Sequence, residues 1–254
     1  MLKTPLALSV ALVLATASLG LPVDTAQATT AEAPKTMNPF FQISPLPFQY
    51  PQFDKIKDTD FAPAFKHGMA EQTAEIAAIA NNPAAPTFDN TILAMERSGQ
   101  VLNRAALVFF NQTSANTNDA LDALDVEFSP KFAAHSDSIY LNDKLFARIK
   151  VLYDNRNGLG LDAQSVRLVE RYYTDFVRAG SNLTEAQKTR VKAINAEMAT
   201  LTTQFSQNVL AEVNDSAIIV TDRAELAGLT DEQIAILAES AKEKGMPGKY
   251  RIAL

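Results

Sequence analysis

The stretch NLTEAQKTRVKAINAEMATLTTQFSQNVLAEVND, residues 182–215, restricts what this chain can become more than any other. Val191, Ile194, Met198, Leu201, Phe205 and Val209 recur in steps of 3, 4, 3, 4 and 4, the spacing that lines side chains along one flank of an α-helix. Thr184 and Gln187 stand in capping-box register at its start. About thirty helical residues rising about 1.5 Å each reach about 45 Å. That is long for a small globule. The pattern therefore predicts a helix–helix packing seam on a spine shared with more protein.

The preceding chain has the same period. In DFAPAFKHGMAEQTAEIAAIANN, Phe61, Phe65, Met69, Ile76 and Ile79 return at helical spacing, and Pro63 falls in the first turn, where no N–H is missed. In NNPAAPTFDNTILAMERSGQVLNRAALVFFN, Thr87 is an N-cap, and Phe88, Ile92, Met95, Leu102, Val108 and Phe109 form the stripe expected to be buried. Further helices are expected at about 117–139 and 142–155. Asn157-Gly158 is a stop, and Asp162 caps a helix over 163–179 that ends at Gly180.

After Asp215 the period changes. SAIIVT, residues 216–221, is rich in β-branched side chains and reads as a strand. Residues 224–229 are a turn region. Thr230 and Gln233 repeat the capping-box spacing and open a helix to about Lys244, followed by Gly245 and the turn pair Pro247-Gly248. Tyr250, Ile252 and Leu254 then alternate with Arg251 and Ala253, a second strand that needs a neighbour for its backbone groups. The expected fold is mainly α: antiparallel helical hairpins, one long spine helix and a small two-strand element near the C-terminus.

The N-terminal segment has a different character. Lys3, an apolar run over residues 6–21 and Ala26-Gln27-Ala28 make a secretory signal peptide over 1–28, cleaved after Ala28. Thr16, Ser18, Gly20, Pro22 and Asp24 interrupt it too soon for a membrane anchor. A periplasmic or secreted protein is expected, with no membrane association after cleavage. Residues 29–57 form a proline-rich strap, since Pro34, Pro39, Pro45, Pro47 and Pro51 prevent continuous helix. Its aromatics Phe40, Phe41, Phe48, Tyr50 and Phe53 are expected to pack onto the body, with a ligand-recognition strip as the alternative. The helical domain spans 58–214 and the strand–helix–strand region 215–254.

Composition excludes several functions. A net charge of -6 with pI near 5.0 leaves no basic patch to neutralise phosphates, so no nucleic-acid partner is expected. With no cysteine there is no disulfide framework, thiol nucleophile or Cys-based metal site. His67 and His135 lie on separate predicted helices, neither within H-E-x-x-H, and read as ordinary surface or interhelix histidines. There is no G-x-S-x-G and no phosphate loop. The carboxylates Asp58, Asp60, Asp119, Asp122, Asp125 and Glu127 read as caps or solvated faces, and Arg171-Tyr172-Tyr173 as helix packing. No catalytic, cofactor-binding or metal-ligating residue is assigned.

An ordered set of stretches carries a resemblance: NPFFQISPLPFQYPQFDKIKDTDFAPAFKHGM, IANNPAAPTFDNTILAMERSG, AAHSDSIYLNDKLFARIKVLYDNR, and LVERYYTDFVRAG followed by LTEAQKTRVKAINAEMATLTTQFSQNV. Residues 38–254 resemble the N-terminal part of the peptidyl-dipeptidase and oligopeptidase family of zinc metallopeptidases, the thimet oligopeptidase relatives, nearest to its bacterial dipeptidyl carboxypeptidase branch. The resemblance implies a part of a larger, two-lobed, nearly all-helical peptidase whose channel admits short peptides. It implies zinc held by an H-E-x-x-H helix and a later glutamate, with the motif's own glutamate activating the zinc-bound water. No position here matches those ligands, so this chain is expected to hold no zinc and to be inactive by itself. Its expected partners are short peptides and the C-terminal catalytic part, toward which KYRIAL would lead, and its expected role is one wall of the channel. The alternative is a stand-alone periplasmic helical module that binds peptides or a partner without catalysis.

Overall fold

A computed structural model describes residues 37–253. The signal peptide expected over 1–28 and the first part of the strap lie outside the described residues. The helices are α1 (Asp58–Ala80), α2 (Ala94–Glu96), α3 (Gln100–Ala115), α4 (Asp119–Tyr140), α5 (Asp143–Asn155), α6 (Ala163–Ala179), α7 (Glu185–Asp215) and α8 (Asp231–Glu243). The strands are β1 (Ile218–Val220) and β2 (Tyr250–Ile252).

The ends follow local chemistry. Asn118, Asn142, Asp162, Thr184 and Thr230 each accept a hydrogen bond from a backbone N–H in the first turn of the helix they cap. α6 ends at Gly180 with φ 108°, a conformation that carries little penalty without a Cβ. One expectation needs correction. The segment after Thr87 is not an even helix but a π-helical turn, Phe88–Leu93, running into α2. At Gly99 the chain turns left-handed (φ 70°) before α3 begins. The break reverses direction and lays α3 back along α1.

Contacts along the helices fix their sense. Glu75 of α1 accepts from the Gly99 N–H (2.7 Å), and Phe61, nearer the start of α1, meets Phe109 at 5.3 Å between ring centroids. α1 and α3 therefore run antiparallel. At Gly68 a Cβ would lie 2.6 Å from the Leu102 backbone nitrogen, so glycine is what permits their close approach. α5 and α6 are also antiparallel: Phe146 stacks on Phe176, Tyr153 on Tyr173, and Arg156 pairs with Glu170.

Two apolar centres result. One gathers Phe40, Phe61, Phe65, Val108, Phe109, Leu121 and Phe128 between α1, α3 and α4. The other gathers Ile76, Ile92, Leu145, Ile149, Leu152, Val169 and Phe176 between α1, the π-helical turn, α5 and α6. The strand expected at KYRIAL finds its neighbour in SAIIVT: β1 and β2 pair antiparallel, with Ile218 opposite Ile252 and Val220 opposite Tyr250. α8, which lies between the two strands in sequence, covers this two-stranded sheet through Ile234 and Leu237 in a third small cluster. No described helix is long and apolar enough to cross a membrane.

The strap behaves differently from the expectation that its rings pack down. Only Phe40 is buried, against Phe61, and its carbonyl accepts from the Arg104 guanidinium (2.9 Å). Phe41 lies over His67, while Phe48, Tyr50 and Phe53 are exposed. After Pro47 the backbone kinks at Phe48 and Gln49, both at φ 57°, and the Phe48 side chain is left in solvent.

Candidate functional surface

The residues weighed from sequence for chemistry do not converge. His67 is exposed, 3.4 Å from Glu71 on the next turn. His135 joins helices instead, its Nε2 bonded to Gln72 Oε1 at 2.7 Å, and burial pushes its pKa down. Asp60 accepts from the Lys57 N–H at the start of α1, and Asp58 from Asn118 Nδ2. Asp122 accepts from Thr117 and Asp125 from Ser129, and Glu127 pairs with Lys131. Asp119 lies in the first turn of α4, where a carboxylate complements the helix dipole. Among the described residues, no group of three or more His, Asp or Glu side chains is arranged to hold a metal ion.

The Arg171-Tyr172-Tyr173 cluster is packing. Tyr173 stacks on Tyr153 at 3.8 Å between centroids, and Tyr172 donates to Glu96 at 2.7 Å. Burial and that carboxylate push the Tyr172 phenol well above its ordinary range. Arg171 reaches Asp175, 3.6 Å away, on the next turn.

Sequence reasoning missed Arg148. It is buried on α5 and faces the chain before the π-helical turn. One terminal nitrogen donates to the carbonyls of Asn82 (2.8 Å) and Ala84 (3.0 Å), the other to Asn90 Oδ1 (2.8 Å). A guanidinium's fixed fork can hold three acceptors of a proline-bounded loop at once. This is why NNPAAPTFDN keeps one shape, although the partner lies about sixty residues away in sequence, beyond any local signal.

The most unusual surface is α7. Of the seam expected to pack, Val191 is half-buried and the other five residues are not covered by the described body. Met198 is 59% exposed and Phe205 69%, and Ile194, Leu201 and Val209 are exposed with them. The opposite flank faces α4, and it is polar. Asn195 donates to Asp137 (2.7 Å), Thr203 to Ser129 (2.8 Å), and Gln207 to the Asp122 carbonyl (3.0 Å). The rising numbers on α7 meet falling ones on α4, so the two helices run antiparallel. Lys188, only 3% exposed, is held by Asp143 and Glu185, which keep its pKa raised. The signal for this inner flank was present in sequence as polar residues at 188, 195, 203 and 207, spaced to share a ridge, but apolar spacing dominates the usual reading.

The sequence has relatives among known proteins. No family model matches the chain. The dipeptidyl carboxypeptidase of Escherichia coli is 48% identical over 219 residues, covering 86% of this chain and 32% of that protein. That of Salmonella typhimurium is 47% identical over 217 residues, again 32% of its length. The chain is a homologue of part of these peptidases. As a dipeptidyl carboxypeptidase homologue it also matches the oligopeptidase A of Haemophilus influenzae, at 26% identity over 85% of the chain and 31% of that protein. It thus spans about a third of the length of the curated relatives it matches.

Proposed function

We propose that this chain supplies a helical, non-catalytic part of an exported zinc metallopeptidase that hydrolyses short peptides, releasing C-terminal dipeptides. The observation that carries the reading is 48% identity to a dipeptidyl carboxypeptidase over 86% of the chain. In this reading the chain corresponds to the N-terminal part of that peptidase, and its helices form one wall of the channel that limits substrate length.

The residues present do not fit a zinc centre. His67 is occupied by Glu71 and Phe41, and His135 by Gln72 on a different face. The metal and the residues that activate water belong, in this proposal, to the rest of the peptidase. The test is a chimera in which residues 38–254 replace the matched segment of the Escherichia coli relative. Hydrolysis of a short blocked peptide from its C-terminal end, abolished by a chelator and restored by zinc, is expected. The 254-residue chain alone is expected to cleave nothing. Chelator-sensitive cleavage by the chain alone, or an inactive but folded chimera, would refute the proposal.

A further inference from the structure

The exposed flank of α7 has the composition of an interface rather than of a solvated surface. From Met198 to Ala211 the helix carries no charged residue, although one residue in five of the whole chain is charged. The charges stand at the ends of this stretch: Arg190 and Glu197 before it, Glu212 and Asp215 after it, all exposed. A solvated helix face ordinarily carries its charges in the middle as well as at the ends. A patch with Met, Leu and Phe at the centre, no charge there, and a charged rim is the anatomy of a buried contact. The five exposed apolar side chains offer roughly 500 Å², comparable to the largest patch ordinarily left uncovered on a monomer. The helix is also held from behind by Lys188, Asn195, Thr203 and Gln207, so the seam is presented on a fixed rod.

We infer that this seam, Ile194, Met198, Leu201, Phe205 and Val209, is the surface on which the remaining part of the same peptidase docks, through an apolar helical face of its own. This rests on the functional reading above. The chain spans about a third of its relatives' length, so a covalently linked partner of about twice its size is what the homology supplies. A linked partner arrives at high effective concentration and needs no affinity between separate molecules. A seam without central charges has nothing to orient a freely diffusing one.

The experiment places a photo-crosslinking p-benzoylphenylalanine at position 205 of the chimera, and separately at position 236, where Ile236 is exposed on α8. Position 205 is expected to crosslink within the same molecule to the two thirds contributed by the Escherichia coli relative, at least tenfold more efficiently than position 236. Crosslinks only to a second copy, only to added peptide, or no better than position 236 overturn the inference. Activity separates the two proposals. Crosslinking without chelator-sensitive hydrolysis keeps the docking surface and refutes the function, and hydrolysis without crosslinking does the reverse. A second measurement covers a chimera that fails to fold. The sequence has no cysteine, so Phe205→Cys gives a single label site in the chain alone. Maleimide should react there within threefold of the rate for a free thiol, and a rate slowed tenfold or more contradicts an open docking face.

Discussion

α6 and α7 lie in the same bundle and bury opposite kinds of side chain. α6 turns Val169 and Phe176 into the core, both at 0% exposure, and leaves Arg167, Arg171 and Asp175 outside. α7 turns Lys188, Asn195 and Thr203 toward its neighbours and leaves Met198, Leu201 and Phe205 outside. The first helix is held by removing apolar surface from water, at about 25 cal/mol per Å². The second is held on α4 by hydrogen bonds worth about 1 kcal/mol each. An apolar stripe marks a face that will be covered, but it does not say by what. On α6 the cover is α5; on α7 the described residues supply none for Met198, Leu201 and Phe205.

If the two helices differ in this way, replacements should divide accordingly. Phe176→Ala on α6 is expected to cost about 3–5 kcal/mol in urea unfolding, because it opens a cavity at a fully buried ring. A loss under about 1 kcal/mol would mean that α6 is not a core element. On the inner flank of α7, Asn195→Ala should cost about 2 kcal/mol, since it leaves the buried Asp137 carboxylate without that donor. Lys188→Met is expected to cost less, about 1 kcal/mol, because Asp143 and Glu185 are exposed and water can take the lysine's place on them. On the outer flank, Phe205→Ser should leave stability within about 0.5 kcal/mol, and a sharp drop would show that the ring is buried after all.

A pH dependence sharpens the view of the interior between α1 and α4. Burial depresses the His135 pKa from 6.5, so the native state prefers the neutral ring. Its contribution is present above pH 6.5 and is lost as pH falls below that value through the depressed native one. His135→Gln should flatten this acid limb while leaving stability near pH 8 almost unchanged, as read from unfolding midpoints across pH 5–8. An unchanged slope would move the effect to another group.

Much of the fold is legible because caps are local. Thr87, Asp162, Thr184 and Thr230 each announce a helix within four residues, and all four serve as N-caps. SAIIVT is legible as a strand from its β-branched residues and KYRIAL from its alternation, and the two pair antiparallel. Illegible are features that depend on distant partners. Arg148 holds Asn90 across fifty-eight positions, and the left-handed Gly99 inside an otherwise helical pattern depends on α1 beside it. The outward turn of the α7 seam belongs to the same class, because Asn195, Thr203 and Gln207 decide it through α4. The strap aromatics fail for the opposite reason: ring type suggests burial, but the backbone turns Phe48 and Tyr50 away from the bundle.

The most direct measurement is maleimide labelling of single-cysteine variants at 195, 198, 201, 203 and 205 in the otherwise cysteine-free chain. Positions 198, 201 and 205 should react at rates near that of a free thiol, and 195 and 203 at least tenfold more slowly. The reverse order, with the apolar positions protected and the polar ones open, would show that α7 buries its seam in the ordinary way and would contradict the inverted helix.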